Sequence, residues 1–569
     1  MFATIKENIA KSLSDFLETD KKQILPLLEK PKNESHGDLT LPCFIIAKEK
    51  KISPVELAKK IRTEIELPDL VSKVLEMGPF LNFFFDYEKI SPIVISESTL
   101  GTTRPDKKKT ILLDYSSPNV AKPFHVGHLR ATLIGNSLDR LHRFNGYNVQ
   151  SINHLGDWGT QFGFVFAGCK LWGEPEEFSV KSLVELYKKA TTLKDQEEKN
   201  NTANLPDSAT SIARNYFLEL ESEKEEATKF WQRCVDVSLS YLKKTYERLN
   251  ISFDHYTGES FYSDKLDSVK NELQSLNLLQ ESQGATGVDL GEELGFARIL
   301  APDGRSLYLA RDIAAAEYRN KTFKFQKCIY VVGAPQTLHF RQLKEVLRVA
   351  NKDYSESIIH LPFGHVLGMK TRGEGQAIEL NEFLDEANSR ALKAYSEAVQ
   401  KRPEGIDEEK VSKNVALAAV IFSTLNRTNI KDVHFSWDDA LSFQGDSGPY
   451  LLYAYARLCG IEEKAKSAGI NLEDSFYYEA INTESARGLI AKLLDFENAL
   501  LETERTLEPL ILCTFALELS KLISKSYIDL KVIGSDNKVA ATRLNLFLAA
   551  KEVLGRTLTL LGITPIEKM

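Results

Sequence analysis

The sequence predicts an α/β protein whose centre is a doubly wound, Rossmann-type parallel sheet, and three observations support this prediction. A strand, a loop, a helix and a second strand follow one another between residues 110 and 153. Strand-like segments alternate with helical stretches between residues 306 and 361, as the second half of such a sheet requires. After Asn414 nearly every segment has an apolar period of about 3.6 residues, which predicts an all-α C-terminal domain.

The length and composition are those of a multidomain globular protein. A chain of 569 residues is too long for one hydrophobic core, and 43% hydrophobic with 27% charged residues is an ordinary balance. The N-terminus lacks the features of a signal peptide, and no run reaches the roughly 18 apolar residues that span a bilayer. We therefore expect a cytoplasmic protein without membrane contacts, although an organelle protein whose presequence had been removed would have the same features.

Cysteine usage and charge restrict the classes of partner. The six cysteines are far apart in the sequence, which predicts reduced thiols and argues against a structural zinc site. A net charge of −8 argues against a protein that coats nucleic acid non-specifically. A local basic face would still be enough for a specific nucleic-acid partner, so the total charge does not decide this question.

The first hundred residues predict a separate α/β unit. An apolar helical pattern covers Ile5–Phe16, a helix with an N-cap and an early proline begins at Ser53, and a turn followed by an aromatic strand covers Met77–Phe85. A polar linker is expected at 101–109. The predicted domains are therefore an N-terminal unit at 1–100, a sheet domain at 101–385 and a helical domain at 386–569.

The sheet domain is predicted from alternating strands and helices. A strand at Thr110–Tyr115 precedes a helix at Leu129–Asn145, and a second strand covers Tyr147–Asn153. A charged helical stretch at about 180–250 interrupts the pattern and is interpreted as an insertion. Three further strands are predicted, at Ser306–Ala310, Lys327–Val332 and Ile358–Leu361.

The loop between the first strand and its helix carries a candidate phosphate site. Helix N-termini attract anions, and this loop adds His125, Gly127 and His128, with Lys122 just ahead of them. The two imidazoles can donate hydrogen bonds to phosphoryl oxygens, the lysine adds positive charge, and the glycine permits a close ligand approach. Two other readings of this loop are a metal-binding histidine pair and two ordinary surface histidines.

A series of motifs now identifies a family resemblance. The segment Asp114–His128 resembles the HIGH region of class I aminoacyl-tRNA synthetases, and specifically of arginyl-tRNA synthetases. Further blocks resemble the same family in the same order over most of the chain: Asn153–Gln161, Phe253–Ser260, Tyr308–Ala316, Tyr330–Phe340 and Gly448–Arg457. The resemblance implies that the protein activates arginine with ATP and transfers it to the terminal ribose of tRNA(Arg).

The resemblance also implies a binding site for the arginine side chain. Asp312 would face the guanidinium, Tyr308 would close over the side chain, and Gln336 would add a polar contact. A guanidinium needs facing acceptors, and a carboxylate in a shaped pocket discriminates it from neutral side chains. The alternatives are a salt bridge from Asp312 to Arg311 or Arg319, and a strand core position for Tyr308.

Other residues are assigned by the same resemblance to the backbone end of the amino acid. Ser117, Asn119 and His125 would lie near that end, and Asp114 would bind the α-amino group. Some relatives have glutamate where this chain has Asp114, which shortens the reach of the carboxylate.

The second ATP motif of class I enzymes is degenerate in this chain. The stretch that corresponds to the KMSKS loop contains Met369, Lys370, Thr371 and Arg372. We expect Lys370 and Arg372 to share the phosphate contacts with Lys122, and a solvated loop is the alternative for the first two. Phe363 and Gly364, just upstream, would line the adenine side by similarity.

Two regions resemble the tRNA-binding parts of the family. In the helical domain, Tyr450, Tyr453 and Arg457 could stack and contact unpaired bases, although residues that share a helical face are often packing residues. In the N-terminal unit, Phe80 and Asn82 fall where relatives contact the D-loop.

The remaining expectations concern ligands and rival functions. ATP is expected to bind as a substrate with Mg²⁺, without a tightly bound cofactor or a dedicated protein metal site, and the protein is expected to be a monomer. The rival functions are a class I synthetase for another amino acid, a catalytically idle paralogue that binds RNA or protein, and a small nucleotidyltransferase.

Overall fold

The N-terminal unit is a small antiparallel sheet covered by helices. The computed structural model describes residues 1–99, 107–282, 284–302, 305–368, 378–398, 406–472 and 476–569, so most of the predicted linker lies outside the described residues. The elements of this unit are α1 (Phe2–Leu17), α2 (Lys21–Ile24), β1 (Leu39–Pro42), α3 (Phe44–Lys50), α4 (Pro54–Glu64), β2 (Val71–Met77), β3 (Phe80–Phe85) and α5 (Tyr87–Thr99). The strand order is β1-β3-β2, and Gly78, at φ 62°, lies in the tight turn between β2 and β3.

The sheet domain follows, with its helical insertion. Its elements are β4 (Thr110–Asp114), α6 (Leu129–Phe144), β5 (Asn148–Asn153), α7 (Thr160–Trp172), α8 (Val180–Lys199), α9 (Ala209–Glu221), α10 (Glu225–Arg248), β6 (His255–Tyr256), α11 (Leu266–Ser275), β7 (Gln280–Ser282), β8 (Ala285–Asp289), α12 (Gly291–Leu294), β9 (Phe296–Leu300), α13 (Tyr308–Phe323), β10 (Lys327–Gly333), α14 (Thr337–Val349), β11 (Ile358–Phe363), β12 (Val366–Leu367) and α15 (Leu380–Ala398). Helices α8, α9 and α10 occupy the stretch at about 180–250 that the sequence predicted to be helical.

The central sheet has the doubly wound topology that the sequence predicted. Its order is β11-β10-β4-β5-β6, and every neighbouring pair is parallel. The chain therefore begins in the middle of the sheet, builds one half outward and then returns to build the other half. Adjacent β4 and β10 mark the point where the strand order reverses, and ligands of such sheets bind outside the carboxyl ends of strands at this point.

One predicted strand is wrong. Ser306–Ala310 is not a strand of the sheet, because Ser306 forms only an isolated bridge with Leu300 and helix α13 begins at Tyr308. Leu309, Ala310 and Ile313 are buried at the spacing of a helical face. The prediction was wrong because a short apolar run suits both a strand and the start of a helix. The antiparallel sheet β7-β8-β9 was not predicted either.

The C-terminal part is helical, as predicted. It contains α16 (Glu408–Leu425), β13 (Val433–His434), α17 (Trp437–Ala440), α18 (Gly448–Ser467), α19 (Glu484–Leu494), α20 (Phe496–Thr506), α21 (Leu510–Asp529) and α22 (Asn537–Leu561). Strand β13 pairs in parallel with β12 of the sheet domain. The N-terminal unit contacts this part as well, since the amino group of Met1 lies 2.9 Å from Glu497 and Lys30 lies 2.6 Å from Asp495.

Helix length and hydropathy bear on membrane contact. Over the ranges given above, we find no helix that combines the length and the apolar character needed to cross a bilayer.

Candidate active site

The candidate site lies at the carboxyl end of β4. The chain turns sharply there, since Ser116 and Ser117 both have left-handed backbone conformations, with φ of 75° and 46°. The hydroxyl of Ser116 lies 2.7 Å from those of Thr132 on α6 and Tyr246 on α10. The loop that follows carries the two histidines and ends at the start of α6, as the sequence predicted.

The two histidines are held as neutral hydrogen-bond donors. The Gly127 N–H donates to Nδ1 of His125 over 3.0 Å, which leaves the hydrogen of a neutral imidazole on Nε2. The centroids of the His125 and His128 rings are 4.1 Å apart. Burial lowers the pKa of His128 to about 4 and also lowers the pKa of His125. Near neutral pH both rings are therefore uncharged.

Gly127 is required by the fold-back of His125. A Cβ atom at this position would lie 2.6 Å from Cε1 of His125, closer than real Cβ contacts. Lys122 lies on the opposite flank of the loop, beside the insertion, where its Nζ is 5.8 Å from the centroid of the Tyr187 ring on α8. The phosphate-binding residues predicted in this loop thus share one short segment, with the cation at its edge.

Asp114 ends β4 in a buried ion pair. Its Oδ2 lies 2.8 Å from Nη2 of Arg319 on α13, and both side chains are buried. The Ser117 hydroxyl donates to Oδ1 over 3.0 Å. The sequence analysis did not predict Arg319 as the partner of Asp114. Its guanidinium already balances the charge of the Asp114 carboxylate, which the resemblance assigned to the α-amino group of the amino acid. Asn119 is exposed nearby, and its backbone bridges to Gly156.

The predicted arginine-side residues lie on the start of α13 and the end of β10. Tyr308 is the first residue of α13 and is 71% exposed, so it is not a strand core residue. Asp312 lies one turn further, and its Oδ2 is 2.6 Å from Nε2 of His339 on α14. Gln336 is exposed directly after β10.

The salt bridges considered as alternatives for Asp312 do not form. Arg311 pairs instead with Glu259 at 3.1 Å, and Arg319 pairs with Asp114. His339 was missed by the sequence analysis, although it lies inside the motif block Tyr330–Phe340. Asp312 therefore has a histidine neighbour and remains partly accessible, as a carboxylate that receives a guanidinium must be.

Comparison with known proteins decides the family. The model described as tRNA synthetases class I (R), catalytic domain, matches residues 89–437. The arginyl tRNA synthetase N terminal domain matches residues 3–85, and the DALR anticodon binding domain matches residues 451–569. Among curated proteins, the arginine–tRNA ligase of Alkaliphilus metalliredigens is 38% identical over 579 residues, which cover 99% of each chain. The chain belongs to the arginyl-tRNA synthetase family.

Further relatives agree in sequence and fold. The arginine–tRNA ligase of Halothermothrix orenii is 37% identical, with 99% of each chain covered. The arginyl-tRNA synthetase structure of Thermus thermophilus aligns with a TM-score of 0.83 and 24% identity over 100% of both chains. That of Plasmodium falciparum aligns with a TM-score of 0.80 and 22% identity over 99% of both chains. The two structures show that the fold of the family extends over the whole chain.

Glu259 is a further group near the arginine side of this synthetase pocket that sequence reasoning missed. Burial raises the pKa of its carboxyl to about 7, against the stabilising effect of Arg311, and the charges of Asp157 and Asp312 add to the rise. Its position in the motif block Phe253–Ser260 was the available signal, because an isolated glutamate in a loop has no other distinguishing pattern.

The predicted ATP residues downstream of the sheet are only partly described. Met369, Lys370, Thr371 and Arg372 lie outside the described residues. Phe363 ends β11, in register with Gly333 at the end of β10. Gly364 is buried, and a Cβ there would lie 2.6 Å from Oδ1 of Asp432, so the close approach of a neighbouring segment accounts for the glycine.

The predicted tRNA contacts differ in accessibility. In the N-terminal unit, Phe80 is 38% exposed and packs edge-on against Phe44, with centroids 5.7 Å apart. Asn82 lies on the central strand β3, on the same face as Phe80, but is only 2% exposed. Its side chain therefore presents no surface to an RNA base in this structure.

The helical domain offers a more open cluster. The guanidinium of Arg457 lies 4.8 Å from the ring centroid of Tyr453 and 4.9 Å from that of Tyr527, a residue that sequence reasoning missed. Tyr453 is exposed, whereas Tyr450 is partly buried and packs against the core. Tyr450 thus packs in the way that the alternative interpretation of this helical face expected. Tyr453 and Arg457, on the same face, remain accessible.

Proposed function

We propose that the pocket at the ends of β4 and β10 carries out both steps of arginine–tRNA ligation, with the residue roles given below. Family membership makes this chain an arginine–tRNA ligase, which forms arginyl-tRNA, AMP and diphosphate from arginine, ATP and tRNA. The observation that supports the roles is that the neutral histidine pair follows β4, while the partly accessible Asp312 lies on the helix that precedes β10, the neighbour of β4 in the sheet.

In the first step a carboxylate oxygen of arginine attacks the α-phosphorus of ATP, and the bond to the departing diphosphate breaks. No general base is needed, because the nucleophile is already ionised. His125 and His128 donate hydrogen bonds from their rings to the phosphoryl oxygens, where negative charge develops. Lys122, Lys370 and Arg372 supply the positive charge, and the ATP site is completed by Gly127, Phe363, Gly364, Met369 and Thr371.

Arginine is held at both ends. The carboxylate of Asp312 receives the guanidinium, Tyr308 covers the side chain, and Gln336 adds a polar contact. At the other end, Ser117, Asn119 and His125 contact the backbone of the amino acid. The α-amino group binds Asp114, which keeps its ion pair with Arg319 and accepts this second cation.

In the second step the terminal ribose hydroxyl of tRNA attacks the carbonyl carbon of arginyl-adenylate, its proton passes to the phosphate of the departing AMP, and the bond between that carbon and the phosphate oxygen breaks. Phe80, Tyr453 and Arg457 contact the tRNA, while Asn82 and Tyr450 shape the surfaces from beneath. In this proposal the domains at 1–100 and 386–569 contact the tRNA, and the domain at 101–385 carries out the chemistry. We place the protein in the cytoplasm as a monomer.

Mg²⁺ enters with ATP in this proposal. Within the described part of the chain, no group of three His, Cys, Asp or Glu side chains could hold a metal ion. When bound, the ion would be held mainly by the phosphates of ATP and would neutralise part of their charge.

The test is tRNA charging with each amino acid in turn, comparing the wild type with Asp312→Ala and His128→Ala. We expect arginine alone to be charged, and both variants to lose most of the activity. Asp353→Ala, which removes an exposed carboxylate from the same domain, is the matched control and should charge normally. Wild-type charging by Asp312→Ala would refute the assignment of the guanidinium site, and an inactive wild type would favour an idle paralogue.

A further inference from the structure

Helix α10, the last helix of the insertion, lies against the loop that carries the two histidines. The Ala121 N–H donates to the Ser238 hydroxyl over 3.3 Å, and the Tyr246 hydroxyl lies 2.7 Å from that of Ser116. Ser238, Tyr241 and Tyr246 are spaced so that they share roughly one side of the helix. The insertion is therefore bonded to the catalytic loop at more than one point along its length.

The Tyr241 hydroxyl donates to Oε1 of Glu379. Glu379 is the residue whose backbone forms an antiparallel bridge with His125. Two hydrogen bonds flank this bridge: the Val126 N–H donates to the Ile378 carbonyl over 3.1 Å, and the Leu380 N–H donates to the Phe124 carbonyl over 2.8 Å. A side chain of the insertion thus fixes the segment that holds the backbone of His125.

Burial holds both tyrosines in their neutral, hydrogen-bonding form. It raises the pKa of both Tyr241 and Tyr246, so that each hydroxyl keeps its proton at physiological pH. Asn153, at the end of β5, donates to the Tyr246 oxygen over 2.8 Å, which ties the same helix to the sheet. Helix α10 is held from the sheet side while it holds the loop.

We propose that Tyr241, acting through Glu379, is a positioning residue for His125 in arginine activation, and that α10 is a structural support of the active site. The insertion then has a catalytic purpose beyond its own folding. A shift of His125 by a fraction of an ångström would move its ring away from the α-phosphate, and misplacements of this kind cost rate more than binding. The inference rests on the proposed role of His125.

The experiment measures arginine-dependent ATP–diphosphate exchange, with tRNA present, for four variants: Tyr241→Phe, Glu379→Ala, Glu379→Gln and the double variant Tyr241→Phe/Glu379→Ala. We expect Tyr241→Phe and Glu379→Ala each to lower kcat about ten-fold, with the KM for arginine little changed. Glu379→Gln should retain most of the rate, since an amide oxygen still accepts the hydrogen bond. The double variant should be no slower than either single variant, because both remove the same bond.

Tyr216→Phe is the matched control. Its hydroxyl donates to the Ala227 carbonyl over 2.8 Å within the insertion, and its side chain is more deeply buried than that of Tyr241, so its loss perturbs the insertion without touching the loop. A kcat for Tyr241→Phe equal to that of the wild type, or lowered no more than that of Tyr216→Phe, would overturn the proposal. His125→Ala distinguishes failure of this inference from failure of the proposed function. If that variant kept its activity, the role assigned to His125 would be wrong, whatever the result for Tyr241.

Discussion

The proposed phosphate side and the proposed arginine side of the active site differ in the kinds of group that form them. On the phosphate side, His125 and His128 are uncharged, and backbone hydrogen bonds from neighbouring segments hold the loop. On the arginine side, Asp312, Glu259 and Asp114 are carboxylates that have charged or titratable partners on α13 and α14. The proposed phosphate side therefore combines a neutral histidine pair with a lysine at the edge of the loop, and the proposed arginine side is ionic.

The difference follows from when the charge appears. The α-phosphate is already ionised in bound ATP, and the further negative charge that develops on its oxygens and on the departing diphosphate in the transition state is stabilised best by preorganised dipoles that need no rearrangement. The guanidinium of arginine is charged before it binds, so its site must contain a counter-charge that is already solvated or paired. His339 supplies such a temporary partner for Asp312.

The largest expected effect removes the counter-charge of the ionic side. Asp312→Asn keeps the shape of the side chain but not its charge, and we expect kcat/KM for arginine to fall about 10³-fold. Steady-state charging kinetics measure this, with Asp353→Asn as control. A loss confined to kcat, with the KM for arginine unchanged, would contradict an ionic arginine side.

The next effect concerns the cation beside the neutral side. Lys122→Ala should slow arginine activation about 10²-fold, through kcat, because the lysine stabilises charge only as it develops. Diphosphate exchange in the presence of tRNA measures it. Lys243→Ala is the control, since its ammonium lies over the Tyr256 ring at 5.1 Å. An unchanged rate would transfer the role to Lys370 or Arg372.

A smaller effect tests the temporary partner. His339→Ala removes one hydrogen bond to Asp312 and frees the orientation of its carboxylate, so we expect the KM for arginine to rise about ten-fold with kcat nearly constant. His339→Gln, which can still donate a hydrogen bond, should recover part of the affinity. If kcat fell instead, His339 would belong to the reacting side of the pocket.

The last effect is on stability rather than on the reaction, and it depends on pH. The pKa of Glu259 is raised to about 7 from an ordinary value of 4.5, so the folded state binds this proton more tightly than the unfolded state. The tighter binding of this proton stabilises the folded state fully at pH values below the pKa of Glu259 in the unfolded state. This stabilisation is lost as the pH rises through the pKa of Glu259 in the folded state. The advantage of Glu259→Gln over the wild type in unfolding free energy should therefore grow by about 2.5 kcal/mol between about pH 5 and about pH 8.

Denaturant unfolding of both proteins at the two pH values measures this difference. Glu292→Gln, on the exposed turn of α12, should show no comparable change. A difference that shrinks as the pH rises would mean that Arg311, rather than burial, dominates the environment of Glu259.

Much of the fold was predictable because its signals are local. The strand at β4, the helix α6 with its histidine-bearing start, and the helical insertion are encoded in periodicity and turn residues within single segments. Ser306–Ala310 failed because short apolar runs suit both a strand and a helix start. The sheet β7-β8-β9 has strands of three to five residues, which leave too little pattern to detect.

The sequence by itself determined the family, the doubly wound sheet and the residues of the candidate site, since ordered motifs and local periodicity suffice for these. The tertiary structure alone decided the partners: Arg319 for Asp114, His339 for Asp312, and Tyr241 with Glu379 beside His125. It also decided that Asn82 is buried while Phe80 is exposed. The physical reason is that these pairs join residues distant in sequence, and only packing of the helices on the sheet brings their polar groups within bonding distance.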